Sequence, residues 1–341
     1  MPDKPIIICT RGSALALAQS NQIAAQCRAA FPELRFELKI IKTTGDKLQR
    51  ASMAKSGGAT ETLPKGLFTK ELEVALLAGQ ADMAVHSLKD LPTDLPAGLV
   101  LAATPQREDV RDVLIYRNAT WVPKPKEKKS GEPASVPWAW RGLGPHTAVR
   151  DLPRGATIAT SSTRRKMSLL AVRPDLNIVE IRGNVATRLQ KVAEHAELDA
   201  TILALAGMSR LNFKVQANST IVGEAVPDGL LATVLELEEM LPCVGQGAIG
   251  IETRADDERL AKICERLNHV DTFQAVTAER AFLRGMGGGC QSPVGAFAEI
   301  VGDKISLRAV SFRDETVKRS VGGRPVAEAV LLGEQIAGEL K

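Results

Sequence analysis

Arginines and serines recur in this sequence at one kind of place: the polar turn between a short apolar run and a helical pattern. "PIIIC" is followed by Arg11 and Ser13, "ATIAT" by Ser161, Ser162, Arg164 and Arg165, "NIVEI" by Arg182 and Arg188, "DATILAL" by Arg210, and "ADMAVH" by Ser87, Lys89 and Asp90. The planar fork of an arginine matches a carboxylate or a phosphate through paired, charge-assisted hydrogen bonds. A helix N-terminus beside it adds free N–H groups and the positive end of a dipole. Any single arginine of this set reads equally as a cap or a solvated surface residue. Their shared position in successive units makes the group a pocket for a ligand with several negative charges. Asp90 is the one acid among them, and on the residues alone it is also a salt-bridge partner for Lys89 or an arginine.

A second chemistry is raised by "RGMGGGCQSP", residues 284 to 293, where three glycines run into Cys290 and Pro293 follows. Such a loop turns sharply and lets another group approach the thiol closely. The alternative is that the cysteine is a small buried hydrophobe, the reading preferred for Cys9, Cys27, Cys243 and Cys264. Five scattered cysteines without a C-x-x-C pair argue against a disulfide framework and for a reducing, cytoplasmic setting. Neither they nor the four dispersed histidines have metal-ligand spacing, so no metal is expected.

The elements that must position these residues follow from the same pattern. Apolar runs alternating with helical periodicity predict an α/β fold with largely parallel sheets, whose ligands lie beyond the carboxyl ends of the strands. At 341 residues, 44% hydrophobic and 25% charged, the chain is of ordinary globular composition and long enough for two or three domains. No apolar run reaches the ~18 residues of a membrane span. The net charge of +4 and 4% aromatic content speak against a nucleic-acid binder. Residues 118–150, containing "VPKPKEKKSGEPASVP", read as an exposed insertion, with "WAWRGLG" able to anchor it or bind a partner; "KSGGATETLPKG", residues 55–66, reads as a connector or a lid. From about Asp257 the pattern changes. "ISLRAVSF" alternates as a half-buried strand and "VAEAVLLGEQIAGEL" reads as a closing helix, so a small α+β domain with a mostly antiparallel sheet is expected, carrying the Cys290 loop.

Taken in order, "TRGSALALAQS", "KGLFTKELE", "ADMAVHSLKDLP", "REDVRD", "TSSTRRK", "RGNVATRL", "LPCVGQGAIGIE", "AERAFL" and "GGGCQSPVG" resemble the porphobilinogen deaminase family over nearly the whole chain. The resemblance implies a transferase that condenses four porphobilinogen molecules into linear hydroxymethylbilane with loss of ammonia, in tetrapyrrole biosynthesis. It implies a covalent dipyrromethane, made from substrate and held by a thioether to Cys290. It further implies that Arg11, Ser13, Gln19, Ser87, Lys89, Ser161, Ser162, Arg164, Arg165, Arg182, Arg188 and Arg210 bind substrate or cofactor carboxylates, and that Asp90 is catalytic. The implied fold has two similar doubly wound α/β domains with a cleft between them, as in periplasmic binding proteins, and a small C-terminal α+β domain. The boundaries expected are 1–105 with 234–253, 106–233, and 254–341. A cytoplasmic monomer follows from the same resemblance. The rival reading is an anion-binding, two-lobed ligand-binding protein, which would need no loop thiol. The chain departs from the family in loops: 118–150 is long, and extra residues precede Lys65, so no role is carried over to Lys65.

Overall fold

A computed structural model describes residues 4–44, 69–121, 141–289, 292–314 and 316–341. The expectations for the 55–66 stretch, Lys65, the core of the insertion and Cys290 lie outside the described residues. The chain divides into two compact units: Met1–Val110 with Leu241–Lys341, and Arg111–Met240.

In the first unit, β1 (Ile6–Thr10) leads into α1 (Ala14–Ala30), then β2 (Phe36–Ile40), α2 (Lys70–Leu77), β3 (Met83–Ser87) and β4 (Leu99–Ala103). The run Ile6–Ile7–Ile8 suits a strand because β-branched side chains pack well on a pleated surface. Alanine-rich α1 starts where Ser13 accepts a hydrogen bond from the Ala16 N–H, and it buries Ile23, Ala24 and Cys27. β1 pairs parallel with β2 and β3. The strand that completes the sheet arrives much later in the chain: β12 (Ile249–Arg254) inserts between β3 and β4, antiparallel to both, giving the order β2-β1-β3-β12-β4.

The second unit contains β5 (Asp112–Arg117), β6 (Thr157–Ala159), α3 (Thr163–Val172), β7 (Asn177–Val179), α4 (Val185–Glu194), β8 (Ala200–Ala204), α5 (Leu205–Ser209), the short pair β9 (Lys214–Val215) and β10 (Ile221–Val222), and β11 (Leu230–Val234). Its sheet runs β11-β5-β8-β6-β7; β6 is parallel to β7 and β8, while β5 is antiparallel to β8 and β11. Each sheet is therefore parallel where strand–helix units follow one another and antiparallel where a strand returns. The expected exposed stretch 118–150 is anchored at both described ends. Leu143 donates to the Arg117 carbonyl and Ala119 to the Leu143 carbonyl, and Val149 is buried.

After β12 come α6 (Glu258–Leu267), α7 (Val270–Gly285), the antiparallel sheet β13 (Val294–Val301), β14 (Lys304–Ser311) and β15 (Lys318–Pro325), and the closing α8 (Ala329–Leu340). Ile305, Leu307 and Ala309 alternate inward on β14 and meet Phe282 of α7 and Leu332 and Ile336 of α8 in one core. The small α+β layer expected from the sequence is present.

Candidate active site

In the first unit, β1 and β3 both end at one pocket. It is lined by Arg11, Ser13, Gln19, Ser87 and Asp90, together with Thr69, Val85 and His86. Each side chain arrives for a local reason. Arg11 and Ser13 occupy the turn from β1 into α1, where Ser13 caps the helix. Gln19 is 2% exposed on the buried face of α1; its Oε1 accepts from Ser87 Oγ at 2.9 Å, while its Nε2 is enclosed without a hydrogen-bonding partner. Asp90 closes a single 3-10 turn, Leu88–Asp90, whose first N–H bonds the Ala248 carbonyl at 3.0 Å. Lys89 lies half-buried on that turn, outside the pocket lining.

The chain just beyond Asp90 is gripped by α7. Arg280 donates to the carbonyls of Leu91, Pro92 and Thr93 at 3.2, 2.6 and 3.2 Å, and Arg284 donates to the Thr93 carbonyl and to Asp94. The same helix then stops in a left-handed turn: Gly287 has φ +64°, its N–H bonds the Arg284 carbonyl, and the Gly288 N–H bonds the Leu283 carbonyl. A glycine takes this conformation without the Cβ penalty of other residues. Part of the glycine run before Cys290 is thus a helix stop. A second anchor sits close by: Arg107 makes a two-pronged ion pair with buried Glu279, at 2.7 and 3.0 Å.

In the second unit, Ser162 caps α3 by accepting from the Arg165 N–H, and Ser161 Oγ exchanges hydrogen bonds with the backbone of Ile181. Arg164 and Arg165 are buried, at 3% and 6% exposure, where the sequence pattern suggested a ligand-facing edge. Both donate to Asp112, Arg164 to Oδ2 at 2.8 Å and Arg165 to Oδ1 at 2.7 Å. Burial works to raise the Asp112 carboxyl, but the two guanidinium groups outweigh it and hold it well below the usual carboxylate range. The Arg165 Nε is enclosed without a hydrogen-bonding partner. Arg188, on α4, donates Nε to the Gly183 carbonyl. Burial, with Arg165 adding its like charge, pushes Arg188 down to about 10, and no carboxylate among the described residues pairs with it. Arg182 is exposed and pairs with Glu180 at 3.5 Å, and Arg210 is half-buried at the end of α5.

The sequence reading missed Asp112, the acid that organises Arg164 and Arg165, although it closes the quoted "REDVRD". It also missed His86, inside "ADMAVH", and its partner Glu252 at 3.0 Å. One acid in a charged run has no distinguishing signal until its burial is known.

Residues 6–262 match the family model described as "Porphobilinogen deaminase, dipyromethane cofactor binding domain", and residues 273–341 match "Porphobilinogen deaminase, C-terminal domain". The chain belongs to the porphobilinogen deaminase family. Among its relatives, the porphobilinogen deaminase of Syntrophus aciditrophicus is 43% identical over 335 residues, covering 98% of this chain and 94% of that protein. That of Syntrophobacter fumaroxidans is 40% identical over 343 residues, covering 100% and 95%. Among solved structures, the effector-binding domain of BenM with benzoate is 17% identical, with a TM-score of 0.41 over 78% of this chain and 91% of that one. For a porphobilinogen deaminase the donor set is chemically apt. Gln19 Nε2 is an enclosed donor in need of an acceptor, and Arg188 is a half-buried guanidinium without a carboxylate partner among the described residues; a dipyrromethane or a pyrrole substrate bearing carboxylates would supply acceptors to both.

Proposed function

We propose that the chain joins four porphobilinogen molecules head to tail into linear hydroxymethylbilane with release of ammonia, elongating from a dipyrromethane held by a thioether to Cys290. The observation that carries this reading is the pocket that gathers Arg11, Ser13, Gln19 and Ser87 around one acid, Asp90. Bound there, the dipyrromethane supplies the pyrrole carbon from which the chain grows.

The protein's own residues divide the remaining work. Arg11, with the hydroxyls of Ser13 and Ser87 and the amide of Gln19, takes acetate and propionate groups in the first unit. Lys89 adds charge from the same turn. In the second unit Arg188 offers a half-buried cation, Arg164 and Arg165 offer guanidinium groups fixed in place by Asp112, and Arg182, Arg210, Ser161 and Ser162 complete the edge. As the amino group of each incoming porphobilinogen leaves its methylene as ammonia and the free α-carbon of the growing chain's last ring bonds to that methylene, positive charge spreads to pyrrole nitrogen. The Asp90 carboxylate accepts from that N–H where the charge develops, and it is a suitable acceptor for the proton lost when the ring regains aromaticity. The chain is read as a cytoplasmic monomer, in keeping with Cys9, Cys27 and Cys264 buried as thiols. Its domains are read as 1–105 with 234–253, 106–233, and 254–341. The separate sheet β13–β15 and the separate match from residue 273 support the last of these.

The test is incubation with porphobilinogen while ammonia release is followed, with intact-protein mass measured on wild type and Cys290→Ser. Wild type is expected to weigh more than its chain by two linked pyrrole units, and the variant to lack that mass and the activity. A fully active protein without the added mass would falsify the attachment, and absence of ammonia release by loaded protein would overturn the reaction.

A further inference from the structure

Asp90 stands on a turn with few restraints of its own. Among the described residues, no group hydrogen-bonds or ion-pairs with its carboxylate, so the backbone of the turn decides where that carboxylate points. The turn Leu88–Asp90 closes with one internal hydrogen bond, from the Leu91 N–H to the Leu88 carbonyl at 3.1 Å. A single turn of this kind is not stable alone, because one bond does not offset the dihedral angles it fixes. Its neighbours must hold it, and α7 supplies most of them. Leu88 and Leu91, 2% and 3% exposed, pack in one small core with Ala248 and with Val276 of α7. One helical turn on, the Arg280 guanidinium, on a residue 8% exposed, gathers three consecutive carbonyls: Leu91 at 3.2 Å through Nη1, and Pro92 at 2.6 Å and Thr93 at 3.2 Å through Nη2. A further turn on, Arg284 takes the Thr93 carbonyl at 2.7 Å and Asp94 Oδ1 at 2.8 Å. Val276, Arg280 and Arg284 are four residues apart and so form one stripe of the helix. Three converging carbonyl dipoles repel one another unless a cation lies among them. The planar fork of an arginine meets several at once in a fixed geometry, which an ammonium does not.

We infer that Arg280 is the positioning residue for Asp90: by collecting the carbonyls that follow the turn, it fixes the direction of a catalytic carboxylate that it does not touch. The inference rests on the role proposed above for Asp90. It also gives α7 a second task. The helix ends at Gly285, and the chain runs on through the left-handed turn at Gly287 to Gly289, the residue before Cys290. The acid and the loop proposed to carry the dipyrromethane thus share one support.

Hydrogen exchange at the Leu88 and Leu91 amides, in protein as purified and without substrate, tests the grip. Arg280→Met is expected to raise exchange at both several-fold and to leave the β1 amide of Ile8 unchanged. Unaltered exchange at Leu88 and Leu91 overturns the inference whatever Asp90 does. A double-mutant cycle on single-turnover elongation by loaded protein tests the function. Arg280→Met alone is expected to lower the rate by about tenfold to 10²-fold, the upper figure being the cost of a ~1 Å misplacement, with substrate binding unchanged. Arg280→Lys, which keeps a donor but not the fork, is expected to fall between variant and wild type. In an Asp90→Asn background the same Arg280→Met change is expected to cost no more than about twofold further, because the charge it positions is already gone. Costs that multiply, as two independent defects do, overturn the inference, and so does weaker substrate binding at an unchanged rate. A wild-type rate in Asp90→Asn alone overturns instead the reading of Asp90 on which the inference rests. If Arg280→Met does not fold, Arg280→Lys and Arg284→Met go through the same two assays with smaller effects of the same pattern expected, and multiplied costs there overturn the inference equally.

Discussion

The Asp112 carboxylate accepts a hydrogen bond from Arg165 Nη2 at 2.7 Å through one oxygen, while its other oxygen is taken by the adjacent Arg164 at 2.8 Å. One buried acid thus fixes two consecutive arginines on the first turn of α3. Removing it leaves two enclosed cations uncompensated, a change that typically costs about 3–5 kcal/mol. Asp112→Asn is expected to lower the urea midpoint by a corresponding amount and to block cofactor loading. Because the folded carboxyl sits below its unfolded value, the stabilisation is complete above an unfolded pKa of about 3.9 and is lost as the pH falls below it. Urea titrations of wild type and variant should therefore converge in acid; curves equally far apart at every pH would contradict the linkage.

Arg188 presents the opposite case, a half-buried cation whose acceptor is expected to come from a ligand. Arg188→Leu removes a partly desolvated charge and puts an apolar side chain in its place. The unloaded protein is expected to melt at the same temperature or higher, while porphobilinogen consumption falls strongly, the trade between stability and activity common at binding sites. A lowered melting temperature with unchanged consumption would show that Arg188 serves the fold alone.

For Asp90, the change to Asn keeps the shape and removes the charge. Substrate binding should persist through the surrounding donors, and single-turnover elongation should fall by about 10²–10³. Asp90→Glu, with the charge displaced, should retain part of the rate. If the Asp90→Asn variant elongates as fast as wild type, the acid is an ion-pair partner only.

The strand ends of both units were legible in the sequence because a β-branched run followed by a polar turn and a helical period is a local signal. Of the residues it pointed to in the first unit, Arg11, Ser13, Ser87 and Asp90 line one pocket and Lys89 lies outside its lining. The direction of β5 was not legible, since it depends on pairings between residues far apart in the chain; the return of 234–253 to the first domain, which delivers β12, was implied by the family resemblance and by no local pattern. Burial was the other hidden quantity. Arg164 and Arg165 look like surface cations in any window of sequence, and only the position of Asp112 on the neighbouring strand makes their burial tolerable. The same holds for His86 and Glu252, 166 residues apart.

The crossing of α7 and α8 offers a stability test away from the pocket. A Cβ on Gly333 would run into the Ala278 carbonyl oxygen and stand 2.7 Å from the Phe282 nitrogen. Backbone cannot yield as a side-chain tip does, so Gly333→Ala is expected to destabilise by about 1–3 kcal/mol or more. Since α7 also holds Leu91–Thr93 through Arg280, elongation should slow in the same variant. Hydrogen exchange should locate the loosening in α7 and α8; protection unchanged there would contradict this account.

The placement of β12 bears on how the chain is made. Its partners β3 and β4 leave the ribosome early, yet the strand that belongs between them is encoded by residues 249–254. At about 5–20 residues per second, synthesis of the intervening stretch takes on the order of ten seconds. Through that interval β3 and β4 expose the edges that β12 will cover, the kind of unpaired edge that recruits other chains. The Arg111–Met240 unit, contiguous in sequence, has all its strands available before then. The strands of the middle unit are therefore all synthesised first, and the N-terminal sheet is the part whose edges stay unpaired until translation reaches β12.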